Sequence, residues 1–340
     1  MRVTIKDIAR ETELSPTTVS IVLNNKPHRL SAETRKKVLD AAKRMNYRPN
    51  SLAASLKTHK TKTIGMVVPN FTNPYSSELA RGAEARSSQD GYALILCNTN
   101  DKSKKNFDYI NILIDRGVDG IIISFDGIEA DETDRLIAHM LSFGIKIISI
   151  DYKTQYKSVS NVLLDNKMGG YIATRHLIEQ GHKKIGCITG PIQADSSTAN
   201  QRFMGYKQAL AKFHIEENEK FVAYGEYNIE AGVKHAGKLL AEGVTGIVAS
   251  NDLCAYGIYK WARDHGVSIP DDLSVVGYDD IVYSDFFSPR LTTIRQPAYD
   301  MGFEAANKII ECCEGIDTGG SKDLIFKPEL VIGGSTRQLL

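Results

Sequence analysis

The sequence predicts an α/β protein with a separate helical module at its N-terminus, and three observations predict it. From Ile64 onward, β-branched runs alternate with amphipathic segments of about 12 to 18 residues, a pattern typical of parallel sheets covered by helices. The first 60 residues contain no such run and predict three short helices joined by polar turns. With 340 residues, the chain is long enough for the α/β body to form two lobes.

Each predicted N-terminal helix begins at a residue that can cap it. Thr4 precedes the first helix, and Ser15 followed by Pro16 combines an N-cap with a proline at the first helical position. Ser31 opens the third helix, and Pro49 disfavours helix at the residue before it. We therefore expect a helical module over residues 1–49.

The first two helices have the spacing of a helix-turn-helix, whose second helix enters the major groove of DNA. Thr17, Ser20, Ile21 and Asn24 are expected to face outward, where small side chains suit close approach to bases and phosphates. The alternative is an ordinary three-helix bundle with a solvated basic face. Charge favours the first interpretation, because residues 1–62 hold fourteen Lys or Arg and five Asp or Glu. Residues 1–62 therefore carry a net charge of +9, and since the whole chain carries +1, the remaining residues carry −8. This asymmetry makes the N-terminal module the expected nucleic-acid contact.

Residues 50–62 predict a short hinge between the module and the body, which begins at residue 63. The segment NSLAASLK is alanine-rich and too short to be a stable helix alone. Leu56 at its exposed end would suit an apolar wedge in the minor groove, with Lys57 on a phosphate. The alternative is a flexible linker.

Polar and aromatic side chains follow the predicted strands of the body, whose segments include TIGMVVP, VDGIIISF, KIISID, KIGCITGP, GIVASN and LSVVGYDD. In open α/β sheets, ligands bind at the carboxyl ends of the strands. Carboxylates, amides, an arginine and aromatic faces together suit a polyhydroxylated ligand. Any one of these residues could instead be a cap for the next helix. The candidates are Asn70, Phe71, Asn73, Tyr75, Asn98, Ser124, Asp126, Asp151, Thr189, Asn251, Asp252, Asp279 and Asp280, with Arg202 in a later helix. Of these, Asp252 and Asp280 are expected to be caps or contacts between the lobes.

Several classes of protein are disfavoured by what the sequence lacks. The N-terminus has no apolar run typical of a secretory signal, and no later run is long enough to span a bilayer. The five cysteines show no CxxC spacing, and no nucleophile elbow, phosphate loop or HExxH motif is present. We expect a cytoplasmic protein that is not an enzyme and needs no cofactor or metal.

Longer motifs carry a resemblance to a known family. The segments VTIKDIA, SPTTVSIVLN, SAETRKKVLDAAKRMNYRPNSLAASLK and KTIGMVVPNFTNPYSSEL resemble the lactose/galactose-repressor family of bacterial transcription factors, and the similarity continues to the C-terminus. The resemblance implies a homodimer whose helix-turn-helix reads a palindromic operator in double-stranded DNA, with hinge helices that fold on the minor groove. The DNA-contacting residues that it implies are Thr4, Ser15, Pro16, Thr17, Thr18, Ser20, Ile21, Asn24, Asn25, Arg29, Asn50, Ala53, Leu56 and Lys57.

Two residues depart from the family pattern in the DNA-binding region. Ile21 stands where the family commonly has arginine or histidine, so a thymine-methyl contact is expected in place of guanine readout. Ala54 stands where arginine is frequent, which removes one candidate groove or phosphate contact. The operator is therefore expected to differ from the family's commonest pattern.

The resemblance also implies that the body has a periplasmic sugar-binding fold of two hinged lobes. We place the first lobe at about 63–160 plus 292–320, and the second at about 161–291 plus 321–340. The effector-binding residues that the family motifs imply are Phe71, Asn73, Tyr75, Ser76, Asp151, Arg202, Tyr227, Asn251 and Asp279.

The family's ligands include sugars, sugar phosphates and purines. Because no second basic residue is obvious beside Arg202, we expect an uncharged sugar such as ribose or another pentose, acting as the inducer of a sugar-utilisation operon. The alternatives are a regulator that a purine or a phosphoprotein corepresses, and a cytoplasmic sugar-binding protein without a role on DNA. A sugar-modifying enzyme is a third class, which the missing catalytic motifs disfavour.

Overall fold

The computed structural model describes residues 3–24, 29–48, 60–100, 102, 104–125, 127–192, 197–316 and 323–339. The chain divides into two units, Met1–Thr61 and Lys62–Leu340. The described part of the first unit is helical, and the second contains two six-stranded sheets.

The N-terminal unit contains helices α1 (Ile5–Thr12), α2 (Pro16–Leu23) and α3 (Ala32–Arg44). The predicted caps are confirmed, because the side chains of Thr4, Ser15 and Ser31 each accept a hydrogen bond from a backbone N–H in the first turn. The three helices share a small core that includes Ile8, Val19, Val22, Val38 and Ala41. This core leaves one side of α2 free of packing within the unit.

The first sheet of the body is parallel, with strand order β11-β5-β4-β3-β1-β2. Its strands are β1 (Thr63–Val68), β2 (Ala93–Asn98), β3 (Gly120–Ser124), β4 (Lys146–Ile150), β5 (Ser160–Leu164) and β11 (Leu324–Phe326). Its helices are α4 (Pro74–Gln89), α5 (Lys104–Asp115), α6 (Ala130–Ser142) and α11 (Ala298–Glu314). Strand β3 has the sequence GIIIS and is buried along its whole length, as expected for an apolar strand that helices cover on both faces.

The second sheet has strand order β12-β10-β9-β8-β6-β7, parallel except where β12 pairs with β10. Its strands are β6 (Ile185–Thr189), β7 (Val222–Tyr224), β8 (Gly246–Ala249), β9 (Ser274–Asp279), β10 (Thr292–Arg295) and β12 (Glu329–Val331). Its helices are α7 (Asn166–Glu179), α8 (Thr198–Lys212), α9 (Ile229–Ala241) and α10 (Asp252–His265). The two sheets confirm the predicted α/β class with two lobes.

The predicted lobe boundaries are wrong at three places. Strand β5, at 160–164, belongs to the first sheet, so the chain crosses after Leu164 and not at 160. Strand β10, predicted for the first lobe, pairs with β9 in the second sheet, and the chain returns only with α11. Strand β11 lies in the first sheet, whereas the sequence predicts the second lobe for residues 321–340. These pairings are long-range, so local hydrophobic patterns do not specify them.

Candidate functional site

A cavity of about 310 Å³ lies between the two lobes, where the carboxyl ends of the strands converge. This volume is at the lower end of the range of about 300 to 1,000 Å³ typical of small-molecule sites. Every predicted effector residue except Phe71 lines it: Asn73, Tyr75, Ser76, Asp151, Arg202, Tyr227, Asn251 and Asp279. Phe71 lines a neighbouring crevice beside Arg81, because its ring packs against the core of the body.

On the first-lobe side, Tyr75 and Asp151 form a hydrogen-bonded pair. The Tyr75 hydroxyl donates to both carboxylate oxygens of Asp151, at 2.8 and 3.0 Å. Burial and the charge of Asp151 raise the pKa of Tyr75 well above its ordinary value, so the hydroxyl stays a proton donor. Asp151 directly follows β4, with a φ of 61° in the left-handed region. The pair therefore fixes a carboxylate at this wall of the cavity.

On the second-lobe side, Arg202 of α8 is held by contacts within the protein. Its Nε donates to Asn166 Oδ1 at 2.9 Å, and its Nη1 donates to the Ser250 carbonyl at 2.8 Å. The guanidinium carbon lies 3.7 Å from the ring centroid of Tyr278 and 5.7 Å from that of Tyr227. Arg202 is thus presented to the cavity in a fixed orientation.

Asp279 ends β9 as a buried carboxylate in the cavity wall. It accepts a hydrogen bond of 2.6 Å from Nε2 of Gln296. Burial raises the pKa of Asp279 to about 6, although the positive charge of Arg202 and the Gln296 hydrogen bond oppose this increase. Asp279 therefore ionises near neutral pH in this site.

Gln296 and Lys102 are among the cavity residues that the sequence does not predict. Gln296 is 5% exposed, and its Oε1 has no hydrogen-bond partner among the described residues. It lies on the segment that joins β10 to α11, so only the crossing between lobes brings it to the cavity. Lys102 lines the cavity from the first lobe, so the site has a second basic residue, contrary to the expectation from the sequence.

Two of the predicted effector residues also cap helices. Asn251 Oδ1 accepts from the Cys254 N–H at 2.9 Å, while its Nδ2 donates to the Tyr227 carbonyl at 3.3 Å. Asn73 caps α4 by accepting from the Tyr75 N–H at 3.1 Å. The capping role considered for strand-end residues is therefore real here, and the same side chains still line the cavity.

Helix α2 presents the predicted recognition surface in the N-terminal unit. Pro16, Thr17 and Asn24 are exposed, while Thr18, Ser20 and Ile21 are partly exposed. The Asn24 amide donates to the Ser20 carbonyl at 2.7 Å. Thr4 and Ser15 lie at the helix N-termini, where their side chains serve as caps, and Arg29 is exposed. Asn25, Asn50, Ala53, Leu56 and Lys57, with most of the predicted hinge, lie outside the described residues.

A basic helix-turn-helix and a polar interlobe cavity in one chain define a DNA-binding regulator that responds to a small molecule. Residues 4–50 match the family described as bacterial regulatory proteins, lacI family. Residues 61–326 match the family of periplasmic binding proteins and the sugar-binding domain of the LacI family. The chain belongs to the lacI family of bacterial regulatory proteins.

Individual relatives agree with this assignment over the full length. The chain is 36% identical to the HTH-type transcriptional repressor PurR of Photobacterium profundum, over 99% of both chains. Among solved structures, the Lac repressor dimer bound to operator and the anti-inducer ONPF matches with a TM-score of 0.87, 25% identity and coverage of 99% and 100%. A LacI family regulator from Enterococcus faecium with bound ribose matches with a TM-score of 0.73 and 29% identity, over 82% of this chain and 100% of that one.

The relatives are named as repressors and regulators of transcription, so this chain is a DNA-binding transcriptional repressor and not an enzyme. Among the described residues, no helix is long and apolar enough to cross a membrane.

Proposed function

We propose that this repressor binds a monosaccharide, with D-ribose as the first probe, in the interlobe cavity and then releases its operator. The observation that carries the proposal is the ring of acceptors and donors that both lobes contribute to one cavity of about 310 Å³. The Asp151 and Asp279 carboxylates, the orphan oxygen of Gln296 and the fixed Arg202 suit hydroxyl groups, which donate and accept hydrogen bonds. The ribose bound to the Enterococcus faecium relative supports this ligand class.

A purine corepressor is the second candidate, and the relatives named PurR favour it. A purine is flat and gains affinity from aromatic stacking. Among the described lining residues, Tyr75 and Tyr227 are the aromatic ones, and Tyr75 is held by Asp151. A ring held through its hydroxyl can still stack, so the two rings do not separate the candidates. The ribose bound to the Enterococcus faecium relative is the reason that the sugar is tested first.

The DNA-bound species in this proposal is a homodimer on a palindromic operator, and the Lac repressor dimer solved bound to operator supports a dimeric DNA-bound form. Residues 1–49 form the reading module, residues 50–62 the hinge with Leu56 as the minor-groove wedge, and residues 63–340 the sensing body. Closure of the lobes on the sugar changes the DNA-competent population. A coupling free energy of about 1 to 3 kcal/mol would change operator affinity about 5- to 150-fold.

Isothermal calorimetry on the full-length protein tests the ligand assignment. D-ribose, D-glucose, ribose 5-phosphate and hypoxanthine are titrated in parallel, and a thermal shift provides a second readout. We expect D-ribose to bind and Asp279→Ala to weaken its affinity, because this substitution removes a carboxylate from the cavity wall. If hypoxanthine alone binds, the ligand is a purine and not a sugar. An unchanged D-ribose affinity in Asp279→Ala would show that Asp279 does not contribute to binding.

A further inference from the structure

Asp252, the first residue of α10, is a fully buried carboxylate outside the cavity lining, next to the cavity residue Asn251. Its Oδ1 accepts from the Thr293 hydroxyl at 2.6 Å. Its Oδ2 accepts from the backbone N–H of Ile281 at 2.9 Å and from the Ser284 hydroxyl at 3.3 Å. Both oxygens are therefore used to hold neighbouring segments of the second lobe.

The segment that Asp252 holds begins with the ligand-site residue Asp279. Asp279 has a φ of 117° and Asp280 a φ of 56°, two consecutive positive values in residues that are not glycine. Such conformations are strained and persist only where surrounding contacts hold them. Outside the turn, Asp280 pairs with Arg295 at 2.8 Å and with Arg290 at 3.7 Å. Inside the turn, the Ile281 N–H is bound to Asp252.

We propose that Asp252 is a positioning residue that holds the strained turn at 279–281, and so keeps the Asp279 carboxylate in the cavity. This inference rests on the proposed binding of a sugar beside Asp279. Loss of the acceptor at Asp252 frees the Ile281 N–H, and the turn relaxes toward ordinary backbone angles. The Asp279 carboxylate then leaves its place beside Gln296 and Arg202.

The surroundings of Asp252 supply a graded set of variants. Asp252→Ala removes both acceptor oxygens. Asp252→Asn keeps one oxygen for the Ile281 N–H, and its amide can donate to the Thr293 hydroxyl. Burial and the charge of Asp279 raise the pKa of Asp252, so a neutral amide suits this position. Thr293→Val is the matched control, because it removes a buried hydrogen bond to Oδ1 and leaves the Ile281 contact intact.

A second perturbation moves the carboxylate without removing it. A Cβ atom at Gly277 would lie 2.3 Å from Oδ1 of Asp252, so Gly277→Ala must displace that side chain. The same Cβ would lie 2.7 Å from Cδ2 of Leu291 and 3.2 Å from the Thr293 hydroxyl, so the variant also disturbs these neighbours. It tests the turn through Ile281 exchange should Asp252→Ala fail to fold.

The experiment measures D-ribose affinity by calorimetry and the hydrogen exchange of the Ile281 amide, in each full-length variant. We expect Asp252→Ala to lose affinity by about 10-fold or more and to raise Ile281 exchange by a similar factor, because the buried Ile281 N–H loses its acceptor. In Asp252→Asn and Thr293→Val, the D-ribose affinity and the exchange rate of the Ile281 amide should stay within about 3-fold of wild type. Wild-type affinity and Ile281 exchange in Asp252→Ala would overturn the positioning role of Asp252. An affinity loss in Thr293→Val as large as that in Asp252→Ala would overturn it as well. Should wild type not bind D-ribose, the sugar proposal fails, and Ile281 exchange alone decides the role of Asp252.

Discussion

Raising the pH from 5 to 7 should strengthen the binding of D-ribose, because Asp279 ionises across this range. Burial raises the pKa of Asp279 to about 6, so the neutral form predominates at pH 5 and the charged form at pH 7. A sugar hydroxyl that donates to the carboxylate selects the charged form. The apparent affinity should therefore rise about 10-fold over this interval.

Calorimetric titration of D-ribose at half-unit pH steps measures this change. Asp279→Asn is the control, because its amide cannot ionise and its affinity should vary little with pH. The other carboxylates that line the cavity, Asp151 and Glu226, remain in this control, so a pH dependence that disappears in Asp279→Asn is assigned to Asp279. An affinity that is constant in wild type, or that rises toward pH 5, would refute the interpretation that ionised Asp279 receives the ligand.

Three further predictions follow from the same contacts. Arg202→Lys should lower the free energy of unfolding, measured in urea, by about 2 to 4 kcal/mol, because the hydrogen bonds to Asn166 and Ser250 and the stacking on Tyr278 are lost. A decrease below about 0.5 kcal/mol would contradict this prediction. Tyr75→Phe should lower the free energy of unfolding by about 1 to 3 kcal/mol and weaken the binding of D-ribose. An unchanged D-ribose affinity in calorimetry would argue against a role for the Tyr75–Asp151 pair in binding. Operator affinity should fall steeply as the salt concentration rises, by about 10³-fold or more between 50 and 200 mM for about six phosphate contacts. An operator affinity that does not change with salt concentration would exclude DNA contact by the basic module.

Local chemistry explains why much of this architecture could be predicted from the sequence. Thr4, Ser15 and Ser31 cap their helices as predicted, because a capping side chain and the first turn are neighbours in sequence. Asp151 and Asp279 reach the cavity because Asp151 follows β4 and Asp279 ends β9, and the carboxyl ends of neighbouring parallel strands share one edge of a sheet.

Long-range contacts explain what the sequence did not reveal. The pairing of β10 with β9, and of β11 with β5, depends on segments far apart in the chain. Gln296 reaches the cavity because the chain crosses between lobes just after β10. Phe71 lies close to cavity residues in sequence, but its ring packs against the core of the body. Tertiary packing, and not proximity in sequence, decides which of these side chains meet the ligand.

In the proposed function, a sugar in the interlobe cavity controls operator binding. Fluorescence anisotropy of the full-length protein, on a palindromic duplex selected from random sequences, measures this control. With saturating D-ribose, the operator affinity should fall about 5- to 150-fold, whereas a sugar that does not bind in calorimetry should leave it unchanged. Equal operator affinity with and without bound D-ribose, or tighter binding with it, would contradict the account.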